Sequence, residues 1–155
     1  MKTIAELVAE APLFADLAPD RLELIAGCGR NVHFADGEAL FREDTPADTF
    51  YLLRHGSITL ETYVPGRGPI TIETLAAGDV VGWSWLFPPY RWYFDGRALE
   101  LVRAVEFDTT CLRDKLQTDP ALGYDMMTRF AQVLRERLRW TRLRLLDVYG
   151  DVLSG

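Results

Sequence analysis

Three textures of hydrophobic and polar positions follow one another along the chain. Ile4, Leu7 and Val8 recur at helical spacing and predict a short helix over 3–9. A second helix is predicted over 19–26, with Pro19 in its first turn and Gly27 as its cap. From 31 to 108 short alternating runs take over: Val32/Phe34, Leu40, Tyr51-Leu52-Leu53, Ile58/Leu60 and Ile70/Ile72. Asp36-Gly37, His55-Gly56, Gly66-Arg67-Gly68-Pro69 and Gly78-Asp79 separate them, and strands broken by glycine turns at this interval predict an all-β sandwich or barrel. Residues 65–69, PGRGP, read as the tip of a hairpin.

After Asp108 the helical period returns. Thr118-Asp119-Pro120 opens a segment running to about Tyr149, with Asp119 as N-cap, Gly150 as a stop and the last five residues as a tail. Phe130, Leu134, Leu138, Thr141, Leu145 and Val148 form a stripe close to a coiled-coil seam. At ~1.5 Å per residue such a helix is roughly 45 Å long, more than one small β-domain covers. Part of the stripe is therefore expected to meet another chain, most simply a second copy. The expected organisation is one α+β domain over 1–155: helices to residue 30, a β-roll over 31–108, and helices over 109–150.

Composition narrows the function classes. The 155 residues carry 17 Lys+Arg and 23 Asp+Glu, a net charge of −6 that disfavours a general nucleic-acid or anionic-membrane binder. No apolar run approaches the ~20 residues of a membrane span, and the first 20 residues lack a signal-peptide core, so a cytoplasmic location is expected. Charge is divided unevenly: residues 1–110 hold 9 basic and 17 acidic side chains, residues 111–155 hold 8 and 6. Arg135, Arg137, Arg139, Arg142 and Arg144 crowd the last helix and read first as a solvated face, second as a docking site for an anionic partner.

Cys28 and Cys111 lie far apart with no CxxC spacing, and are expected to be reduced thiols. With His33 and His55 as the only imidazoles, no metal-ligand set is expected. Gly82-Trp83-Ser84-Trp85-Leu86 lacks the second glycine of a nucleophile elbow, and Pro88-Pro89 blocks the helix such an elbow needs. Phosphate-loop and dinucleotide fingerprints are absent. Asp44 and Asp48 read as turn formers and strand caps. No catalytic chemistry is expected.

The aromatic residues are bunched. Trp83, Trp85, Phe87, Tyr90, Trp92, Tyr93 and Phe94 fall within twelve positions. Three readings are open: rings filling a cavity, a pocket that stacks a planar or apolar ligand with Ser84 and Arg91 as orienting groups, or an exposed docking patch.

Short helices, a glycine-punctuated roll and a long last helix occur here together with "APLFADLAPDRLELIA" (11–26), "DGEALFREDTPADTFYLLRHGSITL" (36–60), "GDVVG" (78–82) and "RALELVRAVEFDTTCLRDKLQTDPAL" (97–122). In this the chain resembles the cyclic nucleotide-binding domain of the catabolite-activator and fumarate-nitrate-regulator superfamily, over about residues 11 to 149. The resemblance implies an eight-stranded double-stranded β-helix, or jelly-roll β-roll, with a phosphate-binding cassette at 78–98. It also implies a regulatory role in which cassette occupancy re-angles the last helix through a hinge near 109–118. A recognition domain for DNA would need some 60–80 further residues, so direct DNA binding is not expected.

At the cassette the chain departs from the pattern that the resemblance implies. Gly82 is followed by Trp83 rather than by the Glu that holds a ribose hydroxyl. With "RALE" aligned to the strand after the cassette, Trp92 stands where an Arg would hold the cyclic phosphate, with Arg91 beside it. Hydrogen bonds to charged groups are worth ~1.5–3 kcal/mol each, so two losses weaken binding by roughly 10²–10⁴-fold. The candidate ligand residues are Gly82, Trp83, Ser84, Trp85, Arg91, Trp92 and Tyr93; the candidate dimer residues are Phe130, Leu134, Leu138, Thr141 and Leu145. No cofactor is expected, and any small-molecule effector is unidentified. The expected role is a sensor domain that is not a standard binder of cyclic AMP or cyclic GMP. Its alternatives are a protein-interaction module, or a part of transcription regulation acting through a partner.

Overall fold

The computed structural model describes the backbone of residues 1–154 and the side chains of residues 1–150. Helices α1 (Ile4–Ala9) and α2 (Pro19–Ala26) flank a single 3-10 turn at Pro12–Phe14. Thr3 and Glu6 close a reciprocal capping box on α1, and Pro19 opens α2 with Gly27 at its end, as its sequence predicts.

The roll has eight strands: β1 (Gly29–Phe34), β2 (Ala39–Phe41), β3 (Thr49–His55), β4 (Ser57–Val64), β5 (Gly68–Ala76), β6 (Val80–Val81), β7 (Asp95–Ala98) and β8 (Val102–Asp108). They form two antiparallel four-stranded sheets, ordered β1-β8-β3-β6 and β2-β7-β4-β5. The 65–69 segment turns the β4–β5 hairpin, closed by Val64 opposite Gly68.

Strand β3 shows why the roll has two cores. Its side chains alternate faces, and both faces are covered. Tyr51 and Leu53 point into the roll with Val102, Ala104, Ile58 and Leu60. Phe50 and Leu52 point outward with Val105 and Phe107, where the helices lie on them.

Two helices complete the chain, α3 (Thr109–Thr118) and α4 (Pro120–Ser154). Asp108 caps α3 by accepting from the Thr110 and Cys111 amides, and Asp119 accepts from Leu122 at the start of α4. Along α4, Leu122, Met126 and Phe130 are buried, and Arg129 holds the helix down by donating to the Leu13 and Ala15 carbonyls. Beyond Val133 the helix touches the roll through Arg137 and Arg144, which donate to the Val80 and Ile72 carbonyls, while Leu138, Leu145 and Val148 are exposed.

Three expectations are corrected here. Cys28 and Cys111 are not separate thiols but form a disulfide, with Cα atoms 5.7 Å apart. Pairing across 83 positions depends on strand β8 carrying α3 back to the start of β1, which spacing in the chain does not disclose. Gly150 does not stop α4, which continues to Ser154. A lone glycine costs a helix about 1 kcal/mol against Ala, too little to end it without a competing cap. Of the expected tail, 151–154 are helical and Gly155 lies outside the described residues. Finally, Phe130 belongs to the domain's own core rather than to the exposed stripe, meeting Phe50 and Trp85 edge-on. On the outward face the period continues instead through half-exposed Met127 and exposed Ala131 to Leu134, Leu138, Thr141, Leu145 and Val148, a strict 4-3 alternation.

Candidate functional site: an aromatic cassette

The cassette leaves β6 at Gly82, whose φ of +104° favours glycine. A Cβ there would lie 2.6 Å from the Trp92 ring, so the same glycine makes the turn and lets the indole approach. A single 3-10 turn at Ser84–Leu86 follows in place of a longer helix, as the two prolines beyond it predict. Tyr90 turns the chain at a φ of 57°. The return segment then runs extended against 44–47: the Ala47 amide donates to the Tyr90 carbonyl, Trp92 to Thr45, and Asp44 to Trp92.

Extended backbone sends neighbouring side chains to opposite sides, and this separates Arg91 from Trp92. Arg91 points outward, with Nε 2.9 Å from the Asp44 carboxylate and a further bond to the Asp44 carbonyl. Trp92 points into the roll, stacked on Phe41 with ring centroids 3.7 Å apart and planes 11° from parallel. The Phe41 ring in turn stacks on Tyr51, whose phenol is pushed up to about 12 chiefly by burial. Tyr51 is therefore a neutral donor, and it reaches the Leu40 carbonyl.

Beside the Trp92 ring a cavity of about 40 Å³ remains, bordered by Leu60, Gly82, Trp83, Ser84, Tyr93 and Arg137 among others. That is room for roughly one water molecule, whereas ligand pockets run to about 300–1,000 Å³.

The cassette's rings divide among three environments. Trp92 fills the roll. Trp85 lies in the core on the helical side, stacked on Phe50 at 5.5 Å and edge-on to Phe130 at 5.4 Å; its buried indole N–H has no hydrogen-bond partner among the described residues. Phe87, Tyr90 and Tyr93 are exposed. Of the seven expected ligand residues, Gly82, Trp83, Ser84, Trp92 and Tyr93 border the one small cavity, and Trp85 and Arg91 do not.

Two arginines absent from that expected set reach the cassette from the helices. Arg113 of α3 donates to the Trp85 carbonyl and lies over the Trp85 and Tyr90 rings, 5.9 and 4.9 Å from their centroids. Arg137 of α4 donates to the Val80 carbonyl, faces the Glu73 carboxylate at 3.4 Å and lies 5.3 Å from the Trp83 centroid. The arginine-rich run on α4 is the only hint of Arg137 in the sequence, and it does not single out one of its five members. Among the described residues no His/Cys/Asp/Glu group is arranged to hold a metal ion, and no described helix is long and apolar enough to cross a membrane.

Comparison with known proteins agrees with this architecture. The family model of the cyclic nucleotide-binding domain matches residues 31–119. A CRP-like cAMP-activated global transcriptional regulator of Mycobacterium tuberculosis (strain CDC 1551 / Oshkosh) is 25% identical over 148 residues, 95% of this chain and 64% of the relative. The HTH-type transcriptional regulator Cmr of the same strain is 28% identical over 141 residues, 91% of this chain and 56% of the relative. The chain thus spans less than two thirds of the length of these curated relatives. The crystal structure of a cyclic nucleotide-binding domain from Methylobacillus flagellatus KT shares the fold, with a TM-score of 0.79 at 22% identity, covering 94% of this chain and 82% of that one. Roll, cassette and matched segment together place the chain in the cyclic nucleotide-binding domain family of the catabolite-activator and fumarate-nitrate-regulator superfamily, to which it belongs.

Proposed function

We propose that this chain is a non-catalytic regulatory domain whose cassette is occupied by its own Trp92, and that it does not take up cyclic AMP or cyclic GMP with high affinity. The observation that carries this reading is the Trp92–Phe41 stack, which leaves about 40 Å³ beside it. A cyclic phosphate entering there meets an indole offering one N–H and the Arg137 guanidinium, which already donates to the Val80 carbonyl and faces the Glu73 carboxylate, while Arg91 is engaged by Asp44 on the outside. Names of the curated relatives support the regulatory part of the reading.

Output runs through the terminal helices. Arg113 and Arg137 attach the cassette to α3 and α4, so any ligand or partner that moves the cassette biases the angle of α4. It does so only to the extent that it binds the two arrangements differently. A planar or apolar effector is compatible with the site if Trp92 swings out to admit it. Isothermal titration with cyclic AMP and cyclic GMP tests the first claim: no saturable heat is expected, and a dissociation constant at or below micromolar overturns it.

The 4-3 seam of α4, half-buried at Leu134 and exposed from Leu138 onward, favours a second element of the reading, a homodimer through Leu134, Leu138, Thr141 and Leu145. A role in transcription regulation is drawn only from the names of the relatives.

A further inference from the structure

Outside the cassette, the Cys28–Cys111 bridge stands where the roll meets the terminal helices. Cys28 sits between the end of α2 and β1, and Cys111 in the first turn of α3. Backbone bonds support the same junction: the Asp108 amide donates to the Cys28 carbonyl at 2.9 Å, and the Thr109 amide to the Asp48 carbonyl at 3.1 Å. A surface cavity of about 590 Å³ opens against both cysteines, bordered also by Asp48, Glu106 and Asp108. Cys28 is buried and Cys111 only half-buried, which makes Cys111 the approachable end of the bridge.

What the bridge holds is connected to the cassette. Two residues beyond Cys111, Arg113 binds the Trp85 carbonyl and covers Tyr90. Leu112 and Leu116, on the same helix, pack into the core that contains Trp85 and Phe130. The first turn of α3 is therefore fixed by a covalent bond to the residue just before β1, and its next turn grips the cassette.

We propose that Cys28–Cys111 is a site of thiol–disulfide exchange, at which a low-molecular-weight dithiol releases α3 from β1 and loosens the grip of α3 on the cassette. One thiolate of the dithiol attacks the Cys111 sulfur, the S–S bond breaks, and Cys28 leaves as a thiolate that takes up a proton. The second thiol of the reductant then attacks the mixed disulfide and expels the Cys111 thiolate, which is protonated in turn. Two electrons pass from the dithiol to the bridge, and the dithiol departs as a cyclic disulfide. The two backbone bonds at the junction survive this step, so the expected effect is local release with the roll intact. The inference holds whatever the cassette binds.

Hydrogen-exchange mass spectrometry on the full chain, with and without dithiothreitol, tests it alongside alkylation of the cysteines. Neither cysteine is expected to alkylate in protein purified without reductant, and both after treatment. Reduction is expected to raise amide exchange tenfold or more over 109–118 and 83–90, with little change over 57–76. The melting temperature is expected to fall by roughly 10 °C. A Cys28→Ser/Cys111→Ser variant is expected to show the reduced pattern from the start and no response to dithiothreitol. If that variant does not fold, the treated wild type decides alone. Free thiols in the untreated protein overturn the proposal. So does reduction that leaves 109–118 and 83–90 unchanged, and so does a rise spread evenly through the β4–β5 hairpin.

Discussion

The guanidinium of Arg137, on the last helix, lies 5.3 Å from the centre of the Trp83 ring while it donates to the carbonyl of Val80. One side chain thereby spans β6, the start of the cassette and α4, and it is largely shielded from solvent. A guanidinium–indole contact is worth ~0.5–2 kcal/mol, and a charged hydrogen bond to a carbonyl adds about as much.

Replacing Arg137 with Ala is expected to cost about 1–3 kcal/mol in urea unfolding and to shift tryptophan emission, because the Trp83 ring loses its cover. Arg137→Lys is expected to recover only part of the loss, since an ammonium cannot stack as a planar group. A variant with wild-type stability and unchanged emission shows that the clamp contributes nothing.

Trp92→Ala removes a buried ring from between Phe41 and Gly82, and the expected cost is about 3–5 kcal/mol. The space left matches an indole, so millimolar indole is expected to raise the variant's melting temperature and leave the wild type's unchanged. Differential scanning fluorimetry measures both. An unresponsive variant means that the roll collapses around the gap, and the picture of a ring standing in a ligand's space fails with it.

Much of this architecture is legible in the sequence, and the reasons differ by element. Pro19, the glycine turns and the alternation of β3 act locally, so their signals lie within a few residues of their effect. The cassette is different. Trp85 and Trp92 are seven positions apart, yet one enters the helical core and the other the roll, because a 3-10 turn and two prolines between them erase any period. Arg113 and Arg137 reach the cassette from 28 and 57 residues away, and Cys28 meets Cys111 across 83. Such contacts are made by the topology of the roll, which no spacing rule encodes. Phe130 shows the limit of a stripe read as a period: it lies near the seam in sequence but on the core side of the helix.

That distinction separates two variants of α4. Phe130→Ala is expected to destabilise the domain by about 3–5 kcal/mol at any protein concentration, because Phe130 packs on Phe50 and Trp85. Leu138→Asp changes an exposed position and is expected to shift the sedimenting species from dimer to monomer, lowering stability only at protein concentrations where the wild type is dimeric. A wild type that sediments as a monomer removes the seam from the proposed function.

On the outer side of the β4 sheet, buried Glu61 accepts from Arg97 at 2.6 Å and from the Thr59 hydroxyl at 2.8 Å. Chiefly through the Arg97 hydrogen bond, the carboxyl is held below the ordinary carboxylate range. A folded-state pKa below the unfolded value means that the stabilisation is fully present above the unfolded value of about 4.3, and is lost as pH falls through the folded one. Arg97 is half-exposed, so solvent screening keeps the effect modest. Urea unfolding of wild type and Glu61→Gln across pH 7 to 2.5 is expected to show a stability gap that is constant near neutrality and narrows below about pH 4.3. A gap that widens on acidification reverses the sign and shows that burial, not Arg97, governs this carboxyl.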